Sequence, residues 1–272
     1  MNLVQKKQSL LERFTVYLLK GKRESIFLTL LFCFLPYFSF MAMISVAIIT
    51  LRRGIQNGAL VIAVVILPLL SVAAYQGNII LGIEQCISTL VISWLLAATL
   101  RVSCSWSWVM TSVILLSVFA GCMIHIVYPN HVADSRHVLK KLLEFLHKQE
   151  NTPYDVALIK SNIDWFASYL LGVKILMTAF SALSNLAIAR YLQSKIYNPD
   201  GFNKEFLAFR LNYVNGLLFS GALLWLLLGG EVVKTFILVS TLPLIFSGIS
   251  LMHWRVRRWS KGRLMILLPS YF

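Results

Sequence analysis

The sequence predicts an all-α, polytopic transmembrane helix bundle with six full spans and an N-terminal hydrophobic block that is either a hairpin or a single span. Three observations predict it. Six stretches, residues 58–75, 79–100, 106–128, 163–189, 212–228 and 232–253, are almost purely apolar. Each approaches the roughly 20 residues that a helix rising about 1.5 Å per residue needs to cross about 30 Å of hydrocarbon. Apolar residues make up 58% of the 272, charged residues only 13%, and mean hydropathy is +0.75. About a quarter of a soluble domain is charged, so this much apolar surface calls for lipid. Finally, the Lys and Arg residues behind the net charge of +14 gather at the ends of the apolar blocks, as anchoring and orientation require. Barrel strands would alternate over about 10 residues, whereas these blocks are continuously apolar.

Residues 1–24 carry Lys6, Lys7, Arg13, Lys20, Lys22 and Arg23, while Leu10, Leu11, Phe14 and Leu18 share one helical face. That pattern predicts a basic amphipathic segment lying at the membrane surface. No small-x-small cleavage pattern follows the first apolar run, so the segment is expected to be retained. Residues 25–272 then form a single transmembrane domain. Its first block, 25–51, either crosses once or breaks into two short legs at Pro36, since proline disrupts a helix interior.

The distribution of cations chooses between these threadings, because cytoplasmic loops hold the excess of Lys and Arg. A single crossing by 25–51 places 12 loop cations on each side, whereas a hairpin places 18 on one side and 6 on the other. The hairpin, with both termini cytoplasmic, is the preferred reading. It puts 129–163 outside. There Leu139, Leu142, Leu143 and Leu146 recur at helical spacing, and Asp134, Glu144, Glu150, Asp155 and the adjacent Asp164 match five basic residues. An amphipathic helix on the outer surface is expected; the alternative is a lid over an outward-facing pocket.

Charges inside spans are costly and often functional. Glu84 and Lys174 fall in the outer half of the membrane in this threading, where they either jointly hold a polar ligand or snorkel to the headgroups. Asn185 and Asn215 suit hydrogen bonds between helices, and Pro68 and Pro243 are expected to kink theirs. Cys33, Cys86, Cys104 and Cys122 read as small buried hydrophobes. His125, His131, His137, His147 and His253 form no recognised zinc spacing, so no metal site is expected. No Gly-x-Ser-x-Gly, P-loop or pair of acids placed for intramembrane proteolysis occurs. The sequence therefore offers no support for an enzyme, and no cofactor is expected. Nucleic acid is excluded as a partner, because no segment is long enough to form a soluble basic face.

The most specific local sequence is the cytoplasmic loop 198–211. Asn198, Pro199, Asp200 and Gly201 are tight-turn chemistry. Beyond them Phe202, Phe206 and Phe209 share a helical face, with Lys204, Glu205 and Arg210 elsewhere. The loop either aims the next span or docks a cytoplasmic protein partner. This run, with Ala189-Arg190-Tyr191-Leu192-Gln193 before it and Leu51-Arg52-Arg53-Gly54 followed by Gly58 earlier, resembles the YybS-like family of predicted bacterial inner-membrane proteins. Members commonly have Gly-Gly where this chain has Asp200-Gly201, and end with a further complete span, for which 264–272 is too short. The resemblance implies a multi-pass protein of the bacterial inner membrane. It also implies, by fold analogy only, a likeness to the substrate-binding subunits of energy-coupling vitamin transporters.

Two functions are consistent with these readings. One is capture or transport of a small solute, of unknown identity, near Glu84 and Lys174. The other is a non-transport scaffold or assembly factor that docks its partner through Asn198, Pro199, Gly201, Phe202, Glu205, Phe206 and Arg210.

Overall fold

The computed structural model describes residues 10–35, 37–147, 162–199, 201–229 and 232–258. Pro36, Asp200, Glu150, Asp155, the basic N-terminal residues Lys6 and Lys7, and the tail 259–272 lie outside the described residues. Among the described residues the chain is helical with no strand. Five helical stretches among the described residues are long and apolar enough to cross a membrane. The chain divides into two compact units.

The first unit comprises residues 1–109, 180–210 and 248–272. It is built around α3 (Ser39–Arg53), flanked by α1 (Leu10–Leu18), α2 (Lys22–Phe34), α4 (Ile55–Tyr75) and α5 (Ile79–Ser103). Ten consecutive residues of α3, Ala42 to Leu51, are buried. A helix that is apolar on every side is stable only when enclosed on every side, and α2, α4 and α5 supply that enclosure. Its two buried hydroxyls cost little: Ser45 Oγ donates to the Met41 carbonyl and Thr50 Oγ1 to the Val46 carbonyl, both at 2.7 Å, so neither is stranded.

The block 25–51 is a helical hairpin. Arg53, at the end of α3, donates to the Leu19 carbonyl at 2.5 Å and to Ser25 Oγ at 3.4 Å, beside the start of α2. Tyr37, in the connection, takes a left-handed φ of 65°. Its second leg, α3, is the most buried helix of the unit. Between α3 and α4, Gly54 stands at φ 108° and ψ 162°, a conformation that costs glycine nothing and other residues dearly. Arg101 of α5 reaches back to the Leu51 carbonyl and, at 3.4 Å, to that of Thr50. A cation at the last carbonyls of a helix satisfies orphan acceptors and opposes the helix dipole.

Other elements fall close to their expected bounds. Pro68 sits inside the unbroken α4, and α5 contains a π-helical stretch at Ile87–Val91. Next come α6 (Trp106–Val127), α7 (His131–His147), α8 (Ile163–Tyr197), α9 (Gly201–Leu207) and α10 (Tyr213–Leu227). The amphipathic helix expected within 129–163 is α7, with Leu143 buried, Leu139 half-buried and Leu142 exposed.

The second unit comprises residues 110–179 and 211–247. Its core gathers Ala222 of α10 with Val233, Phe236 and Ile237, against Val118, Tyr169 and Leu226. Arg136 Nε meets Asp164 Oδ1 at 2.5 Å, tying α7 to the start of α8. Gly172 lets the chain at Lys234 come close: a Cβ there would stand 2.5 Å from the Lys234 carbonyl oxygen.

Two expectations need correction. The stretch 212–228 yields only the 15 residues of α10, about 22 Å of helix. It ends at Gly229, whose φ of 84° is the left-handed conformation that commonly closes helices. The stretch 232–253 is not one helix. A 3₁₀ turn at Val232–Thr235 leads into α11 (Ile237–Ser240) and then α12 (Leu242–Arg258). Pro243 falls in the first turn of α12, where a missing N–H is tolerated, two residues beyond the turn at Thr241.

Candidate functional site

The loop 198–211 and its neighbours form a groove of about 700 Å³ in the first unit. One wall is the end of α8, through Tyr191, Ser194 and Lys195. The other is α9, through Phe202, Asn203 and Phe206, with Pro199 at the turn and His253 from α12.

The turn is built by local hydrogen bonds. Asn198 N–H donates to the Ser194 carbonyl at 2.8 Å, and Gly201 N–H to the Asn198 carbonyl at 2.9 Å. Gly201 is buried, and a Cβ there would meet the Asn198 amide nitrogen at 2.5 Å. Across the turn, Arg190 and Glu205 make a two-pronged ion pair, with Nε to Oε2 at 3.0 Å and Nη2 to Oε1. The remaining arm of Arg190 donates to Gln193 Oε1 at 2.8 Å. Fork-to-fork geometry fixes orientation as well as distance, so α9 is held in one pose on α8.

Aromatic rings line this pose. Phe202 lies 6.2 Å from Tyr191, 6.0 Å from Trp106 and 6.1 Å from Phe206 between ring centres, and Phe206 meets His253 edge-on at 5.8 Å. Ser250 Oγ donates to the Phe206 carbonyl at 2.7 Å, and Arg210 Nη1 donates to the Leu207 and Phe209 carbonyls at 3.1 and 2.7 Å. The last two carbonyls of α9, those of Phe206 and Leu207, are thereby occupied. Phe209 is buried outside this helix, so the aromatic face expected of three phenylalanines consists of Phe202 and Phe206.

Lys195 brings a cation to the groove wall. Lys195 Nζ stands 3.2 Å from Glu12 Oε1 and 5.9 Å from the Tyr191 ring centre, with its side chain 43% exposed. Arg52 stacks over the Tyr197 ring at 4.0 Å, a cation–π contact. The segments of the first unit hold 18 Lys and Arg against five Asp and Glu, while those of the second hold seven against six.

Glu84 and Lys174 are both exposed. They belong to the first and second unit respectively, and neither lines the groove. Asn185 packs with Met43 Sδ at 3.2 Å and Ser181 Oγ at 3.3 Å. Asn215 accepts from Thr111 Oγ1 at 2.8 Å. Both asparagines take the helix-packing role expected of them. Among the described residues no group of three or more His, Cys, Asp or Glu is arranged to hold a metal.

Sequence reading misses Lys195, Ser194 and His253 as groove residues, since each is unremarkable in its own stretch. It also misses the Arg190–Glu205 pair. The signal for the pair was present: folding α8 and α9 back at the Asn-Pro-Asp-Gly turn brings the two residues within reach.

No family model, curated protein or solved structure matches the chain.

Proposed function

We propose that this chain is a multi-span membrane protein that captures an anionic, partly apolar ligand in the α8–α9–α12 groove at its cytoplasmic face. The observation that carries this reading is the groove itself. Three aromatic side chains supply apolar wall, Lys195 supplies charge, Asn203 supplies hydrogen bonds, and the Arg190–Glu205 pair holds the shape. Ligand sites are commonly mostly apolar, with a few placed polar groups, and occupy about 300–1,000 Å³.

The cytoplasmic assignment follows the hairpin threading. In it α4, α5, α6, α8, α10 and the α11–α12 pair make six crossings, α10 completing its own with the glycine turn after it. The 18 loop cations that this threading puts inside are the 18 basic residues of the first unit. The loops placed inside also touch one another: Arg52 on Tyr197, Arg101 on Leu51, Trp106 on Phe202, Lys195 on Glu12.

Capture of a ligand by a membrane subunit is retained from the first of the two functions, with the site moved from Glu84 and Lys174 to the groove. Docking of a partner by the 198–211 loop is less well supported. Glu205, Phe202 and Arg210 already make contacts within the chain.

Thermal-shift screening of the purified protein against carboxylate- and phosphate-bearing amphiphiles tests the reading. The expected result is stabilisation that Phe206→Ala abolishes and Glu84→Ala leaves intact. Stabilisation that depends on Glu84 or Lys174 and ignores Phe206 overturns it.

A further inference from the structure

Resting on the groove as the binding site, we infer that its ligand is an anionic phospholipid of the inner leaflet, held by the phosphate-bearing headgroup. The groove lies where α8 leaves its apolar stretch, at Tyr191 to Tyr197, and tyrosine and other aromatic rings mark the headgroup level of a bilayer. Its chemistry has two halves. Phe202 and Phe206 offer apolar wall for glycerol and the first methylenes of an acyl chain. Lys195 and the exposed Asn203 offer donors and a positive charge for a phosphate, which takes strong charge-assisted hydrogen bonds.

The charge balance selects an anion. Lys195 is the cation on the groove wall, and Glu12, its partner at 3.2 Å, leaves the lysine 43% exposed. By sequence, the segments of the first unit carry 13 more basic than acidic residues. A second carboxylate or phosphate meets little repulsion in such surroundings. Basic clusters beside the cytoplasmic ends of spans attract anionic lipid electrostatically. A lipid is favoured over a soluble phosphate because the walls are mainly apolar, and a free phosphate has nothing to place against them. A lipid also needs no delivery, since it is the anion already present at that depth.

The test uses the full chain in nanodiscs of phosphatidylcholine, with or without phosphatidylglycerol, and measures phosphatidylglycerol retained per protein and the melting temperature. The expected result is selective retention and a raised melting temperature, with Lys195→Glu and Phe206→Ala each weakening retention about fivefold or more. Lys140→Glu, an equal change of charge on the exposed face of α7, should retain the lipid. Retention that survives both groove substitutions means a diffuse basic surface and overturns the proposal.

Glycerol phosphate and a glutamate-rich peptide are run in parallel. If phosphatidylglycerol shows no preference and either of these stabilises the protein in a Phe206-dependent way, the lipid assignment falls while the groove stands. If no probe responds to Phe206→Ala, the groove itself is not the binding site and both readings fall together.

Discussion

Arg190 and Glu205, 15 residues apart, close the α8–α9 turn with a two-pronged ion pair whose members are 19% and 30% exposed. The pair is partly withdrawn from water. Its loss leaves a half-buried charge without its partner, which costs more than an exposed pair is worth. The same contact holds Phe202 and Phe206 against Tyr191 and His253, so one salt bridge shapes the groove.

Glu205→Gln should therefore lower stability by about 1–2 kcal/mol and should loosen α9 before the helices unfold. Arg190→Lys should do much the same, because an ammonium does not reproduce the guanidinium fork. Limited proteolysis within 198–211 of the detergent-solubilised protein reads the effect: cleavage should speed up in both variants while the melting temperature falls modestly. Unchanged cleavage in both would mean that the turn is held by its rings and backbone bonds alone.

Ile48 of α3 is fully buried, whereas Leu67 of α4 is 68% exposed. In lipid or detergent, apolar surroundings cancel most of the gain from sequestering a side chain from water, so packing contacts decide stability. Ile48→Ala opens a cavity in the centre of the first unit and should cost about 2–5 kcal/mol. Leu67→Ala removes a side chain that faces solvent or acyl chains and should cost far less. Melting temperatures of the two variants in the same detergent check the contrast. Equal effects would mean that α3 is not the central helix.

Gly172 is a sharper probe of the second unit. A Cβ at that position would sit 2.5 Å from the Lys234 carbonyl oxygen and 3.3 Å from the Thr235 Cα. Both are backbone atoms, which cannot swing aside as a side-chain tip does. Gly172→Leu should overpack this contact at a cost of about 1–3 kcal/mol, seen as a lower melting temperature and poorer recovery of folded protein. Gly216, with nothing within 4 Å of an added Cβ, is the control position for the same substitution.

Much of the helical plan was legible because membrane spans are written in a strong, simple signal: long apolar runs with cations at their ends. The ends of α4, α5 and α6 fall within a few residues of the sequence expectation. Legibility failed where the decisive cause is a single backbone torsion or a tertiary contact. Gly229 at φ 84° shortens α10, and a turn at Thr241 splits the stretch that hydropathy joins. Hydropathy also cannot distinguish a lipid-facing helix from an enclosed one, so the central place of α3 was hidden. Phe202 and Phe206 could be read as one face from their spacing. Lys195 and His253, from α8 and α12, could not be joined to them without the fold. Arg53 and Arg101 stand in the last turns of their helices, beside the apolar blocks where cations were expected, but their carbonyl partners on Leu19, Thr50 and Leu51 are tertiary facts.

The threading itself is open to a direct measurement. Arg53 lies beside Leu19 and Ser25, and Arg101 caps the end of α3. If the N-terminal segment is cytoplasmic, Arg53 and Arg101 share its side of the membrane, because the three meet within one unit. Reporter fusions after Arg53 and at the C-terminus should then read as cytoplasmic, and a fusion after Tyr128, at the end of α6, should read as external. A second arm exploits the charges: replacing Arg52, Arg53 and Arg101 by glutamine removes three of the 18 cations of that side and should increase the share of misoriented chains. An external reading after Arg53 would mean that the hairpin crosses only once. The groove at Tyr191 to Phe206 would then have to be reassigned by the same parity count.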